Sequence, residues 1–245
     1  MTGFSRRELL RAGAAGTTVA VGGCLGRVLD DDEGSLLHRP GWPALDPSSE
    51  WPMPKFDAAR TACNPDGEGI RDGAAYWAVD AGSRPVMADG SLYNVVGTDT
   101  GRSDLAGRNP VTAEQRFRTH VSGPIPNRPP TADDGRVFLT SYEVTQAFDA
   151  DSGERAWRVG ELESINHPAV SGGSVFVSGR RVADDQPVVQ ARAPDDGALL
   201  WTESRVRESH VMPALGPETL FVASRGGIQA MDRATGELRF STAYD

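Results

Sequence analysis

The sequence predicts an all-β fold of the propeller class, built from about four repeats that each form a four-stranded antiparallel blade. Three observations predict it. Aromatic-bearing segments recur as Ala75-Tyr76-Trp77, Gln115-Arg116-Phe117, Arg155-Ala156-Trp157, Leu199-Leu200-Trp201 and Leu238-Arg239-Phe240, spaced by 40, 40, 44 and 39 residues. Between them lie short β-rich runs bounded by Gly and Pro turns, which mark strands rather than helices. A content of 28 Gly, 17 Pro and only 7% aromatic residues in 245 disfavours long helices. Four strands per such interval, with an aromatic at a fixed place, describe blades whose two apolar faces are hidden only by neighbouring blades.

The chain opens with Ser5-Arg6-Arg7-Glu8-Leu9-Leu10-Arg11 and a mildly apolar run from Ala12 to Val21. A cationic start followed by a short apolar stretch is a targeting segment. The pair Arg6 and Arg7 resembles a twin-arginine export signal. Val21-Gly22-Gly23-Cys24 resembles a lipobox, so residues 1–23 are expected to be removed and Cys24 to carry a lipid on the outer face of the cell membrane. Two other uses of Cys24 stay open: a small buried residue at a helix end, or a bridge to Cys63, the only other cysteine. Residues 24–50, with Asp30-Asp31-Asp32-Glu33 and Pro40, Gly41, Pro43 and Pro47, read as a solvated tether. No run of 18 apolar residues suited to a permanent span is present.

Residues 51–245 carry the repeats, with approximate blades 78–117, 118–157, 158–201 and 202–240. The last three are the clearest. Each opens on Pro130-Thr131, Pro168-Ala169 or Pro213-Ala214 and turns at Asp134-Gly135, Gly172-Gly173 or Gly216-Pro217. Each then runs through Val137-Phe138-Leu139, Val175-Phe176-Val177 or Leu220-Phe221-Val222. A further strand closes on Gln146-Ala147-Phe148-Asp149, Gln190-Ala191-Arg192-Ala193 or Gln229-Ala230-Met231-Asp232, before a turn in which Gly153, Gly197 or Gly236 supplies the positive φ. The first repeat keeps Asp89-Gly90 and Leu92-Tyr93, but Thr98 to Asn109 reads as a longer polar loop. Trp157, Trp201 and Phe240 are assigned to packing between blades.

These residues resemble the quinoprotein-type β-propeller, the PQQ-like repeat family. Ala230-Met231-Asp232-Arg233-Ala234-Thr235-Gly236-Glu237 followed by Phe240 is similar to its repeat, and Trp51 to Gly67 to its lead-in. With the export signal, the chain looks like an exported lipoprotein of the halophilic-archaeal type. The resemblance implies a ring of seven or eight blades, whereas about four repeats are present. A closed small ring, a half-ring completed by a homodimer, and a truncated remnant of a longer protein therefore all stay open.

In the dehydrogenases of that family a quinone and a calcium ion sit on the axis, beside a catalytic Asp and a vicinal Cys-Cys pair. None of these carries over onto residues of this chain: there is no Cys-Cys, and Asp151, Asp195 and Asp196 fall in turns. No cofactor, metal or catalytic residue is therefore assigned, and PQQ with calcium is the alternative. His167 and His210 follow Trp157 and Trp201 by 10 and 9 residues and enter the next blade at nearly one place, which makes them candidate axial ligands. Arg180, Arg181, Arg205, Arg207 and Arg225 read as a solvated rim paired with carboxylates.

Charge narrows the partners. With 34 Asp and Glu against 25 Lys and Arg, only Lys55 being lysine, the net charge is -9. Such a chain repels nucleic-acid phosphate and anionic headgroups. An acidic, lysine-poor surface also suits molar salt, where charges are screened within about 3 Å. The expectation is a lipid-anchored, non-catalytic binding or scaffolding module with an unknown protein or small-molecule ligand and no nucleic acid. The alternative is a PQQ-dependent dehydrogenase.

Overall fold

Asp-Gly and Gly-Gly pairs begin three of the blades. Asp89 and Gly90 have φ of 50° and 63°, Asp134 and Gly135 of 43° and 69°, and Gly172 and Gly173 of 60° and 71°. Two successive left-handed residues make the tight turn whose twist matches the strands it joins. In the computed structural model, which describes Pro52 and residues 77–79, 82–98, 102–123, 128–163, 165–207, 212–224 and 226–243, each turn joins the first two strands of a blade.

Blade 1 comprises β1 (Val86–Ala88), β2 (Ser91–Gly97), β3 (Ser103–Arg108) and β4 (Gln115–Val121). Blade 2 comprises β5 (Thr131–Asp133), β6 (Arg136–Thr140), β7 (Thr145–Asp149) and β8 (Arg155–Val159). The two-residue β9 (Leu162–Glu163) follows and pairs with β11 of the next blade. Blade 3 comprises β10 (Ala169–Ser171), β11 (Ser174–Arg181), β12 (Gln186–Arg192) and β13 (Leu199–Glu203), and blade 4 β14 (Ala214–Leu215), β15 (Thr219–Ser224), β16 (Gly227–Asp232) and β17 (Leu238–Ser241). Within each blade the four strands are antiparallel neighbours in chain order. The described residues contain no helix. The chain is thus an all-β succession of propeller blades.

One expected loop is a strand. Ser103–Arg108, placed inside the polar loop Thr98 to Asn109, forms β3 and pairs with both β2 and β4. The repeated Gln-Ala step is replaced there by Ala106-Gly107, so polar and small residues hid the strand. Leu105 and Ala106 are nevertheless fully buried. The following turn departs from the pattern too, because Ala113, with φ of 61°, stands where the other blades have glycine.

The outer aromatic sits at the third position of each last strand, opposite Gly107, Ala147, Ala191 and Ala230 respectively. A register shift adjoins each of these small residues, a bulge that aims the ring out of its own blade. There it meets the turn glycine of the next blade. A Cβ on Gly197 would lie 2.8 Å from Trp157, one on Gly236 2.5 Å from Trp201, and one on Gly153 would strike Phe117. Only glycine leaves room for the ring and also accepts the positive φ.

Each blade therefore has a trailing face that covers the leading face of the blade after it. Tyr93, Val95, Leu105 and Phe117 pack on Ala132, Val137 and Leu139. Phe138, Ala147 and Trp157 pack on Val170, Val175 and Val177. Phe176, Val189, Ala191 and Trp201 pack on Leu215, Leu220 and Val222. The short inner strands β1, β5, β10 and β14 touch in succession, which places them around one axis. The carbonyl of Pro52 accepts the Ala132 N–H of β5 at 2.7 Å.

A polar contact accompanies the aromatic one. Trp77, Trp157 and Trp201 donate their indole N–H to the carbonyls of Pro110, Pro194 and Arg233 at 3.0, 2.7 and 3.0 Å. Between blades 1 and 2 the outer aromatic is Phe117, which has no donor, and the hydroxyl of Tyr93 bonds the equivalent Ala150 carbonyl at 3.2 Å instead. The positions equivalent to Tyr93 in blades 2 and 3 are Phe138 and Phe176. Donor and ring are thus exchanged within a pair. Tyr93→Phe should cost about 1–2 kcal/mol, because a buried carbonyl loses its partner, and adding Phe117→Trp should restore part of it. Urea titration of the single and double variants measures both.

Candidate functional site

The blades present two ends. One carries the tight turns described above; the other carries the connections from each last strand to the next blade, together with the turns between second and third strands. Long connections displaying side chains on a rigid scaffold are where binding residues usually lie. Those of this chain are tied down by glutamine. Gln146 donates through Nε2 to the Ser122 carbonyl at 3.0 Å and accepts the Ser122 N–H through Oε1 at 3.2 Å. Gln229 does the same between the Arg205 carbonyl, at 2.9 Å, and the Arg207 N–H, at 2.7 Å.

Blade 3 uses a longer route. Gln190 Oε1 accepts from buried Arg192, whose Nη2 also meets Glu161 Oε2 at 2.6 Å in the connection before that blade. Sequence reasoning placed these glutamines at the close of a strand and missed their task. The signal was the Gln-Ala step repeated at the same place in three blades. A buried amide has several hydrogen-bonding capacities to satisfy, and for Gln146 and Gln229 the main chain of the connection takes them up.

The connections gather Arg128, Ile165 and Tyr142. Arg128 Nη1 donates to the Ile165 carbonyl, while the Ile165 N–H reaches the Tyr142 carbonyl at 3.5 Å. Burial holds the Arg128 guanidinium below its ordinary pKa, opposed by the nearby Tyr142. The Tyr142 side chain is 55% exposed, and Val182 on the next turn is 59% exposed. An exposed tyrosine beside a partly desolvated arginine is the combination that anchors protein interfaces.

Charges elsewhere at this end are paired. Arg180 Nε lies 2.6 Å from Asp185 Oδ1, Arg181 Nη2 2.7 Å from Asp184 Oδ2, and Arg205 Nη2 2.7 Å from Glu203 Oε2. Hydrogen bonds from these arginines hold Asp184, Asp185 and Glu203 below the usual carboxylate range. Arg207 instead donates to the carbonyls of Gly226 and Thr242, the latter at 3.3 Å. The rim expected from the sequence is therefore seen at Arg180, Arg181 and Arg205, while Arg225 lies outside the described residues.

His167 is half-buried in the connection entering β10. Its neighbour Asn166 fixes that connection by donating to the Ser178 hydroxyl at 2.9 Å and, through its backbone N–H, to the Ser178 carbonyl at 2.9 Å. His210, Cys24, Arg6 and Arg7 lie outside the described residues. Among the described residues no group of three or more His, Cys, Asp or Glu gathers that could hold a metal ion. Asp184, Asp185 and Glu203 at this end each bond an arginine, and no step through calcium or a quinone is assigned to these side chains.

At the opposite end Asp133 is, among the described residues, the one carboxyl whose pKa is pushed up, by burial and then by Asp134 and Asp89. Its folded pKa lies above the unfolded one, so the fold is penalised as pH rises through the carboxylate range and fully so above it. Asp133→Asn should therefore raise the melting temperature at neutral pH, with an advantage that shrinks toward zero below about pH 4. Thermal melts of both proteins across that range decide it.

A family model, that of the outer membrane protein assembly factor BamB, matches residues 62–187. The chain belongs to this PQQ-repeat family. No curated protein matches it. Among solved structures it is similar to a europium-containing methanol dehydrogenase, at 13% identity and a TM-score of 0.64 over 82% of this chain and 50% of that one. The quinohemoprotein alcohol dehydrogenase of Comamonas testosteroni is similar at 15% identity and a TM-score of 0.62, over 79% of this chain and 41% of that one. BamB of Moraxella catarrhalis is similar at 20% identity and a TM-score of 0.50, over 64% of this chain and 50% of that one. The chain thus shares the PQQ-repeat propeller fold with quinoprotein dehydrogenases and BamB, and spans about half the length of these structures or less.

Proposed function

We propose that the chain is a non-catalytic binding or scaffolding module of the cell envelope, exported through Arg6 and Arg7 and anchored by lipid on Cys24 at the outer face of the membrane. The observation that carries the reading is the surface that Tyr142 and Arg128 share through Ile165, with Val182 exposed on the next turn. It offers an aromatic anchor, a desolvated cation and a rim of mutually neutralised charges, which is how a protein surface recognises another protein. Membership of the BamB family supports an envelope location. The acidic, lysine-poor surface suits a cell living in molar salt.

A photo-crosslinking amino acid at position 142, in cells producing the full chain, tests the binding role. Discrete adducts that disappear when Val182 is changed to Asp support it. An absence of adducts, together with calcium-dependent dye reduction on adding PQQ to the purified chain, would replace it with the dehydrogenase reading. The anchor is tested separately: Cys24→Ser should move the protein from the membrane to the soluble fraction, and lipid labelling that persists in this variant sinks it.

A further inference from the structure

At the end that carries the tight turns, a cleft of about 680 Å³ opens between blades 3 and 4, within the roughly 300–1,000 Å³ of small-molecule sites. Arg233 lies across it. Its Nη1 donates to the carbonyls of Gly216 and Pro217 at 2.9 and 3.1 Å, and its Nη2 to that of Ser171 at 2.9 Å. The guanidinium carbon stands 5.6 Å from the centre of the Phe176 ring, and a Cβ on Gly172 would lie 2.9 Å from Nη2. Three carbonyls, a ring and a turn thus fix this cation in place. The residues at its position in blades 1, 2 and 3, whose carbonyls take the same donors, are Pro110, Ala150 and Pro194, so the other junctions have no such group.

The unused hydrogen-bonding capacity inside the cleft is donor capacity. Arg233 pairs with no carboxylate among the described residues, and its Nε–H has no partner there. The hydroxyls of Ser171 and Ser174, which line the cleft as partners across the Gly172–Gly173 turn, have none either. In the other blades the place of Ser174 is engaged: Arg116 bonds Ser91, Arg136 bonds Asp149 at 2.8 Å, and Arg239 bonds Thr219 at 2.9 Å. Blade 3 has Leu200 where blades 1 and 4 have Arg116 and Arg239, which leaves Ser174 free. The acids of the cleft offer little. Asp232 accepts the Ala234 and Thr235 N–H groups through Oδ1 and meets Arg239 through Oδ2 at 2.6 Å, and the Glu218 side chain is 82% exposed at the rim.

We propose that this cleft binds a small molecule through an oxyanion group, a phosphate or a carboxylate, seated between Arg233 and the hydroxyls of Ser171 and Ser174. A guanidinium donates to such a group in a planar fork, and hydroxyls supply donors to its remaining lone pairs. Arg239 neutralises Asp232, and salt screens the exposed Glu218, so the charge left for the ligand is that of Arg233. Because carbonyls already hold that side chain, binding orders little that is not ordered beforehand. The site is independent of the surface at Tyr142 and Arg128, which lies at the other end of the blades.

Nuclear magnetic resonance of the isotope-labelled full chain, titrated with inorganic phosphate and separately with citrate at constant potassium concentration, tests the proposal. The expected result is a saturable shift of the Gly172, Gly173 and Ser174 amide signals and of the Arg233 Nε–H. Saturation by phosphate alone would assign a phosphoryl ligand, and by citrate alone a carboxylate one. Arg233→Lys keeps the charge without the fork and should weaken binding, read at the Gly173 amide, about tenfold or more. Ser171→Ala with Ser174→Ala removes hydroxyls that no described group uses, so the melting temperature stays while binding weakens about threefold or more. This double variant decides the matter if Arg233→Lys loosens the junction. Arg181→Lys, at the far end, should change nothing. Shifts that rise linearly with both anions, saturation that survives the double variant, or an equal loss in Arg181→Lys would each overturn the proposal.

Discussion

Trp157→Ala lowers the stability of the chain by about 3–5 kcal/mol, while Phe240→Ala, at the equivalent place in blade 4, changes it by about 0.5 kcal/mol or less. Both residues occupy the third position of a last strand and face a small residue on the neighbouring strand. They differ in what lies beyond. Trp157 is buried, packs with its ring centre 6.1 Å from that of Phe138, covers the Gly197 turn and bonds the Pro194 carbonyl. Removing it opens a cavity between blades 2 and 3 and strands a carbonyl. Phe240 has solvent beyond it. Guanidinium denaturation at low protein concentration separates the two cases, and equal losses would mean that the aromatics stabilise their own blade rather than the junction. A second unfolding step is expected in Trp157→Ala, since stacked repeats couple only through their junctions.

Gly153→Ala costs about 2–5 kcal/mol, because two penalties act at once. The residue has φ of 72°, which costs an alanine about 1–2 kcal/mol, and its new methyl would strike the Phe117 ring, an overlap costing about 1–3 kcal/mol. Gly90→Ala is the control: φ is 63°, but a Cβ there meets nothing within 4 Å, so only the backbone share remains. Chemical denaturation of the two variants side by side gives the difference, which is the junction's share. If Gly90→Ala costs as much, the glycine serves its turn and not the ring.

The aromatic interval, the Asp-Gly turns and the apolar triplets were legible from residues alone because each repeat states its own local chemistry. Val137-Phe138-Leu139 reads as a strand, and Gly153 as a turn, without knowledge of a neighbour. The strand β3 was not legible, since Ser103, Asp104 and Gly107 become strand residues only between β2 and β4. The candidate face was legible in fragments. Paired arginines followed from charge, but Tyr142, Arg128 and Ile165 lie far apart in the chain and meet only where two connections and a turn converge.

The sequence by itself determined the class of fold, the repeats and the place of Trp157 and Trp201 between blades, because strand period, turn glycines and aromatic spacing act over a few residues; Phe240, given the same role, is 47% exposed. Tertiary structure decided the rest: that Tyr93 supplies the donor Phe117 lacks, that Gln146 and Gln229 hold connections, and that Phe221 and Phe240 stay partly exposed where their equivalents in other blades are buried. Those outcomes depend on distances between blades. Burial and hydrogen-bond satisfaction are settled by what arrives across a junction, and no local pattern encodes that.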